Sequence, residues 1–89
     1  MTYTIVLTGF IFRDDDGFWN SECHQLDLAT CGRSREEVER RTASMIDTYF
    51  KACEQQGILN NVLDRLQAPK VDLARLQVKT NFQLRSAHP

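Results

Sequence analysis

The segment Gly32–Val38 constrains the fold of this 89-residue chain more than any other segment. Ser34 and Glu37 have the spacing of a capping box, in which the serine hydroxyl accepts a hydrogen bond from the Glu37 amide and the glutamate reaches back to the Ser34 amide. Glu36 and Glu37 would also lie at the positive end of a helix dipole. The segment therefore predicts the point at which the chain leaves a sheet and enters its main helix.

An amphipathic helix is predicted from about residue 35 to residue 56. Small and apolar residues recur along one side of it at helical spacing, and charged residues lie on the other side. The predicted buried stripe consists of Val38, Thr42, Met45, Tyr49 and Cys53, widened by Ile46 and Phe50. Gly57 can adopt the left-handed conformation that ends such a helix. A short second helix is predicted over Asn60–Leu66, capped by Asn60 or Asn61.

Three segments before the main helix predict strands. Tyr3–Phe12 is β-branched and aromatic, residues 18–24 resume an extended pattern after the acidic turn Asp14–Gly17, and Leu26–Cys31 contains a short third strand. Near the end of the chain, residues 76–84 alternate apolar and polar side chains, which is typical of a half-buried strand. The sequence therefore predicts an α+β fold of order β-β-β-α-(α)-β, a small antiparallel sheet with one long helix packed on one face.

The composition is that of a globular domain, with 42% hydrophobic and 26% charged residues and a net charge of −1. This balance gives no bulk attraction to nucleic acid or to a membrane surface. Cys23, Cys31 and Cys53 form no Cys-x-x-Cys pair, which favours reduced thiols in a cytoplasmic protein. No signal peptide is predicted, and the longest apolar stretch, about ten residues, is too short to span a bilayer.

One run of residues joins the predicted hairpin to the predicted helix. Its sequence is His24-Gln25-Leu26-Asp27-Leu28-Ala29-Thr30-Cys31-Gly32-Arg33-Ser34-Arg35-Glu36-Glu37-Val38. It resembles the HicB-like antitoxin family, in which a β-hairpin with an Asp/Gly turn is followed by a motif near Pro-Glu-Leu-Asp-Ile-Ala-Ser-Gln-Gly-Asp-Thr-x-Glu-Glu-Ala and then by a long helix. The likeness covers residues 3–57. His24 and Gln25 depart from the motif, since the family has Pro and Glu there. The family motif is represented here by Leu26, Asp27, Gly32, Ser34, Glu36 and Glu37.

The resemblance implies one HicB-like domain over residues 1–85 and a tail over residues 86–89. Longer family members carry a helix-turn-helix or ribbon-helix-helix module after this domain. The short helix and strand predicted after Gly57 fit neither module, so the resemblance implies no autonomous DNA binding. The net charge and the short apolar stretch separately predict no membrane partner.

By the same resemblance, the function is that of a type II toxin–antitoxin HicB antitoxin. Such a protein is a non-enzymatic binding module that would neutralise a small basic HicA-type toxin, which cleaves mRNA. The alternative is an orphan HicB-like domain that forms homo-oligomers and regulates without a toxin partner. The loss of the Pro-Glu pair at His24-Gln25 favours this alternative.

Catalytic chemistry has little support in the residues. The acidic turn together with Asp27 offers carboxylates for a metal-dependent nuclease, since hard cations take oxygen ligands, but a solvated turn that hydrogen-bonds to itself explains these residues better. Cys23 and His24 are neighbours on a predicted strand and would point to opposite faces, which disfavours a thiol–imidazole pair. We therefore predict no catalytic residues, no metal ligands and no cofactor.

The aromatic residues of the hairpin and the last strand provide the predicted interface. If Phe10, Phe12 and Phe18 share the face away from the main helix, they form an apolar patch that needs cover. The last strand could lie at a sheet edge, where unpaired backbone groups invite a second copy of the chain. The interface for a partner or for a homodimer or larger oligomer is predicted to contain Phe10, Phe12, Phe18, Val78 and Phe82.

Overall fold

A computed structural model gives the fold and describes residues 1–85. Its elements, in chain order, are β1 (Tyr3–Arg13), β2 (Trp19–Cys23), β3 (Leu28–Gly32), α1 (Arg35–Gln55), α2 (Leu59–Arg65), one 3-10 turn (Leu73–Arg75) and β4 (Leu76–Leu84). The predicted α+β class and element order are confirmed. The tail predicted over residues 86–89 lies outside the described residues.

The four strands form one mixed sheet in the order β3-β2-β1-β4. β2 pairs antiparallel with both β1 and β3. β4 lies parallel to β1, from Tyr3 opposite Leu76 to Ile11 opposite Leu84. The prediction of an antiparallel sheet is therefore wrong for the last strand. The segment between β1 and β4 contains two strands and two helices, which is long enough for the crossover that a parallel neighbour requires.

One hydrophobic core lies between the sheet and the two helices. β1 contributes Ile5 and Leu7, and α2 contributes Leu59, Val62 and Leu63 to the same cluster. The buried residues of α1 are Val38, Thr42, Ile46, Phe50 and Cys53. The buried stripe is thus centred on Ile46 and Phe50. Met45 and Tyr49, predicted within it, lie at its rim and are only half-buried.

The start of α1 follows the capping prediction in part. Ser34 Oγ accepts a hydrogen bond from the Glu37 amide at 3.1 Å, as predicted. The Glu37 carboxylate, however, accepts from the amide of Arg33 at 3.3 Å, one residue before the predicted donor. It also lies 3.2 Å from Arg41 Nη2. Two backbone amides at the helix start are still satisfied by side chains, which is the function of a capping box.

The junction between the helices begins with the predicted glycine. Gly57 has a φ of 73° and follows Gln56, the C-cap residue of α1. The prediction of an asparagine cap for α2 is wrong, because Ile58 occupies the capping position and both Asn60 and Asn61 lie inside the helix. The Ile58 amide still bonds to the Cys53 carbonyl at 2.9 Å, so α2 starts immediately after the turn that ends α1.

Candidate protein-binding surfaces

Three residues of the family motif shape the chain between β2 and α1. Leu26 is buried in the core. Asp27 has a φ of 55° in the turn between β2 and β3, a conformation that aspartate tolerates better than most residues. A Cβ on Gly32 would lie 3.0 Å from the Val38 amide nitrogen, a tight contact that would force the end of β3 and the start of α1 apart by a few tenths of an ångström.

The other motif residues belong to the helix start. Ser34 and Glu37 satisfy backbone amides there, and Glu36 is exposed in the first turn of α1. Arg41 Nη1 additionally donates to the Cys31 carbonyl at 2.9 Å and ties α1 to β3. The motif therefore builds the passage from sheet to helix, and these contacts give it a structural role.

The acidic turn between β1 and β2 is organised around Asp14. Its Oδ1 accepts from the amides of Asp16 and Phe18 at 3.0 Å each, and its Oδ2 accepts from Asn20 Nδ2 at 2.9 Å. The Asn20 amide and these backbone N–H groups stabilise the carboxylate and lower the pKa of Asp14. Asp27 lies in the next turn, at the other end of β2. Within residues 1–85, no three His, Cys, Asp or Glu side chains are grouped to hold a metal ion.

The cysteines and His24 do not come together as a reactive pair. Cys23 is 1% exposed on the core side of β2, as predicted for a small core residue, and Cys53 is also buried. His24 is exposed and its ring lies edge-on to Phe10, with the ring centroids 6.4 Å apart. Cys31 is exposed on β3.

The sheet face opposite the helices carries an aromatic patch. The Arg85 guanidinium lies 4.3 Å from the ring centroid of Phe12 and 5.1 Å from that of Phe10. Arg85 Nη2 is also 3.5 Å from Glu22 Oε1, and His24 Nε2 is 3.7 Å from the same oxygen. We call Phe10, Phe12, Glu22, His24 and Arg85 the open-face patch. Both described helices pack on the other face, so this patch is accessible to a partner.

The structure separates the five residues of the predicted interface. Phe10 and Phe12 lie half-buried on the open face, and Phe18 is 47% exposed at the hairpin turn beside them. Val78 and Phe82 project from β4 to the helix side, where both pack against the core. The predicted set therefore belongs to two surfaces, the open face and the β4 edge.

The second surface is a groove of about 310 Å³ between α1 and β4. Ile46 and Phe50 line it from the helix, and Leu76 and Val78 line it from the strand. Farther along β4, Leu84 is 58% exposed. β4 is also the last strand of the sheet, so its outer edge has no neighbour among residues 1–85. We call the groove and this edge together the β4 surface.

Sequence analysis missed Arg85, which we find at the centre of the open-face patch. Its position depends on the parallel pairing of β4, because the Arg85 amide donates to the Ile11 carbonyl at 2.8 Å and so sets the side chain beside Phe10 and Phe12. A single arginine at the end of an alternating segment carries no signal of such a long-range contact. Only the register between β1 and β4 reveals it.

Comparisons with known protein families, with curated proteins and with solved structures found no match to this chain. The resemblance to HicB-like antitoxins therefore depends on the sequence motif alone. Across residues 1–85, each helix is too short or too polar to cross a membrane.

Proposed function

We propose that this chain is a non-enzymatic protein-binding domain of the HicB antitoxin type. It would sequester a small basic HicA-type toxin by covering the surface with which that toxin cleaves mRNA, and it would do so in the cytoplasm. The observation that carries the proposal is the open-face patch, where Phe10, Phe12 and Arg85 are grouped on a sheet face that neither helix covers.

The composition of the patch suits a protein interface. Aromatic residues and arginine are enriched among the residues that dominate binding energy, and acidic and basic groups commonly form the rim around them. Here the two phenylalanine rings supply apolar area, while Arg85 and Glu22 supply polar groups beside them. A partner that covers the patch would bury the rings and exclude water from the arginine contacts.

The charges next to the patch favour a basic partner. The acidic turn follows Arg13 at the end of β1, and its residues Asp15 and Asp16 are exposed. Opposite charges on two partners speed encounter and fix orientation more than they raise affinity. Neutralisation by this route requires only occlusion of the toxin, so no catalytic group is needed on this chain.

Isothermal titration calorimetry with a purified HicA-type toxin tests the proposal. We expect the wild-type chain to bind, and Phe12→Ala to weaken binding at least about tenfold, since truncation of a hot-spot residue costs about 2 kcal/mol or more and tenfold corresponds to about 1.4 kcal/mol. Arg40→Ala is the control, because Arg40 is exposed on α1, on the other side of the sheet. Absence of binding by the wild-type chain, or equal affinity of the Phe12 and Arg40 variants, would contradict the proposal.

The second candidate function is an orphan HicB-like homo-oligomeric domain that regulates without a toxin. The unpaired outer edge of β4 favours it, because such an edge is a template for a second copy. Self-association without any affinity for HicA-type toxins would distinguish it from the antitoxin. A metal-dependent nuclease is the weakest alternative, and it would require divalent-metal binding that is lost in Asp14→Asn.

A further inference from the structure

We propose that two copies of this chain join through the outer edges of their β4 strands. The strands would pair antiparallel about a twofold axis at Thr80, so that two four-stranded sheets form one continuous sheet. This inference concerns the β4 surface alone, and it stands whether or not the open-face patch binds a toxin.

The direction of the backbone groups on β4 identifies which residues are free to pair. The Arg85 amide donates to the Ile11 carbonyl, so the odd-numbered residues of β4 point their N–H and C=O groups toward β1. Backbone groups alternate in direction along a strand, so the even-numbered residues point outward. These outward residues are Leu76, Val78, Thr80, Phe82 and Leu84.

An antiparallel partner must match outward residues with outward residues. A twofold axis at Thr80 does this for the full nine-residue strand, because Thr80 then faces the partner's Thr80 and Val78 faces the partner's Phe82. Leu76 faces the partner's Leu84 at either end. Axes at neighbouring residues leave one end of the strand unpaired, so the Thr80 register makes the most hydrogen bonds.

The side chains of β4 are complementary to themselves in this register. The outward residues are also those whose side chains face the helix side, where Leu76, Val78 and Phe82 are only partly covered. Leu84, now 58% exposed, would pack on the partner's Leu76. Cross-strand apolar pairs of this kind stabilise sheets. A second copy thus covers the apolar residues that one copy leaves open.

The charges also select this register. Lys79 is the one charged residue between Leu76 and Leu84. With the axis at Thr80 it lies opposite the partner's Asn81, whereas an axis at Lys79 would place two lysines directly opposite each other, which is destabilising. Arg75 and the partner's Arg85 would lie just beyond the paired strands, where Arg75 belongs to a 3-10 turn and Arg85 is held against Phe12.

These features argue for a second copy in preference to an unrelated peptide. The outward-pointing β4 residues on both sides of Thr80 are all apolar, so the strand is complementary to a second copy of itself. A closed twofold interface uses the same surface on both copies. Since β4 is an edge strand in each copy, pairing covers the β4 edge of both copies at once.

Cysteine crosslinking tests the register. Outward residues that face each other have Cα atoms about 5.5 Å apart, which is within disulfide range. In a Cys31→Ser background, where the remaining cysteines are buried, we expect Thr80→Cys to form a disulfide-linked dimer under mild oxidation. Gln77→Cys is the matched control, because that exposed residue would lie about 20 Å from its own copy across the axis. Crosslinking of both variants alike, or of neither, would overturn the register.

Variants that place a positive or a negative charge at Thr80 test the interface without a covalent bond. Thr80 is exposed in the single chain, so Thr80→Lys and Thr80→Asp should each fold, as circular dichroism would verify. Sedimentation equilibrium of the chain alone should show a wild-type dimer at micromolar concentration, two monomeric variants, and a heterodimer when the variants are mixed. A wild-type monomer, or a variant mixture that stays monomeric beside a wild-type dimer, would overturn the proposal. Should the charged variants not fold, the crosslinking result decides.

Discussion

The side chain of Gln25 takes the place of a strand in hydrogen bonding to Thr8. Its Oε1 accepts from the Thr8 amide at 2.7 Å and from the Thr8 hydroxyl at 3.3 Å. The ladder between β1 and β2 ends at Phe10 opposite Glu22, so the Thr8 amide lies beyond the reach of β2. Gln25 thus supplies a hydrogen-bond acceptor where β1 extends beyond β2. This contact gives Gln25 a structural role, although it differs from the residue that the HicB-like motif has at this position.

We expect Gln25→Ala to lower the free energy of unfolding by about 1 kcal/mol, the usual net contribution of one hydrogen bond. Gln25→Glu introduces the residue that the HicB-like motif has at this position and keeps a carbonyl-type acceptor, so it should lower the free energy of unfolding less. Urea denaturation at a fixed protein concentration measures the stability of both variants, with substitution of the exposed β4 residue Gln83 by alanine, Gln83→Ala, as the control. Equal loss in the alanine and glutamate variants would contradict the acceptor role.

Gly9 allows β1 to pass beneath the ring of Phe82. A Cβ at Gly9 would lie 2.9 Å from two atoms of that ring and would overlap the Glu22 carbonyl oxygen. We therefore expect Gly9→Ala to destabilise the fold by about 1–3 kcal/mol, as overpacking does. Gly57→Asn is a control, because a side chain there meets open space and asparagine tolerates positive φ. Thermal unfolding should show a large loss for the first variant and little change for the second.

The main helix could be predicted from the sequence because its signals are local. Ser34, Glu37 and Gly57 specify its two ends through contacts within a few residues, and its apolar spacing shows which side is buried. The parallel direction of β4 could not be predicted in this way. Period-two alternation is the same for parallel and antiparallel neighbours, and the direction depends on where the crossover returns the chain.

The sequence predicts which residues lie together on a binding surface only when those residues belong to the same strand. Phe10 and Phe12 share a face because they are two residues apart, and the structure places them together. Grouping them with Val78 and Phe82 required the register between β1 and β4, which puts the latter pair on the opposite face. Long-range pairing, which no local pattern encodes, therefore decides the composition of each surface.

Ser21 buries a hydroxyl group that no described residue satisfies. The residue is fully buried on β2, and its Oγ has no hydrogen-bond partner among residues 1–85. Since an unsatisfied buried polar group is costly, we expect Ser21→Ala to raise the free energy of unfolding by about 1 kcal/mol. Thr42→Val is the contrasting variant, because the buried Thr42 hydroxyl donates to the Val38 carbonyl at 2.6 Å. Denaturant titration should show stabilisation for Ser21→Ala and none for Thr42→Val.

The carboxylate of Asp14 makes part of the stability depend on pH. Hydrogen bonds from Asn20 and the turn backbone lower its pKa below the ordinary value of 3.8. A lowered pKa in the folded state contributes stability above pH 3.8, and this stability is lost as the pH falls through the folded-state value. Asp14→Asn should therefore be less stable than wild type at neutral pH and should converge with it in acid. Urea titrations of the wild type and of Asp14→Asn at neutral and at acid pH measure this, and a difference in stability that is the same at both pH values would contradict the role of the carboxylate.

Tyr49 should titrate above the ordinary tyrosine range. Partial burial and then the nearby Cys53 thiol raise the pKa of Tyr49 above 10.0, while Arg65, whose Nη2 donates to the Tyr49 hydroxyl at 3.4 Å, opposes the shift. Because the folded-state pKa is raised, the associated stability is complete below pH 10 and is lost as the pH rises through the folded-state value. In a Tyr3→Phe background Tyr49 is the one remaining tyrosine, so ultraviolet absorbance follows its ionisation directly. We expect the midpoint of the Tyr49 ionisation to lie above pH 10.0 and to move higher in Arg65→Gln. An ionisation midpoint that is the same in both proteins would contradict the contact between the Tyr49 and Arg65 side chains.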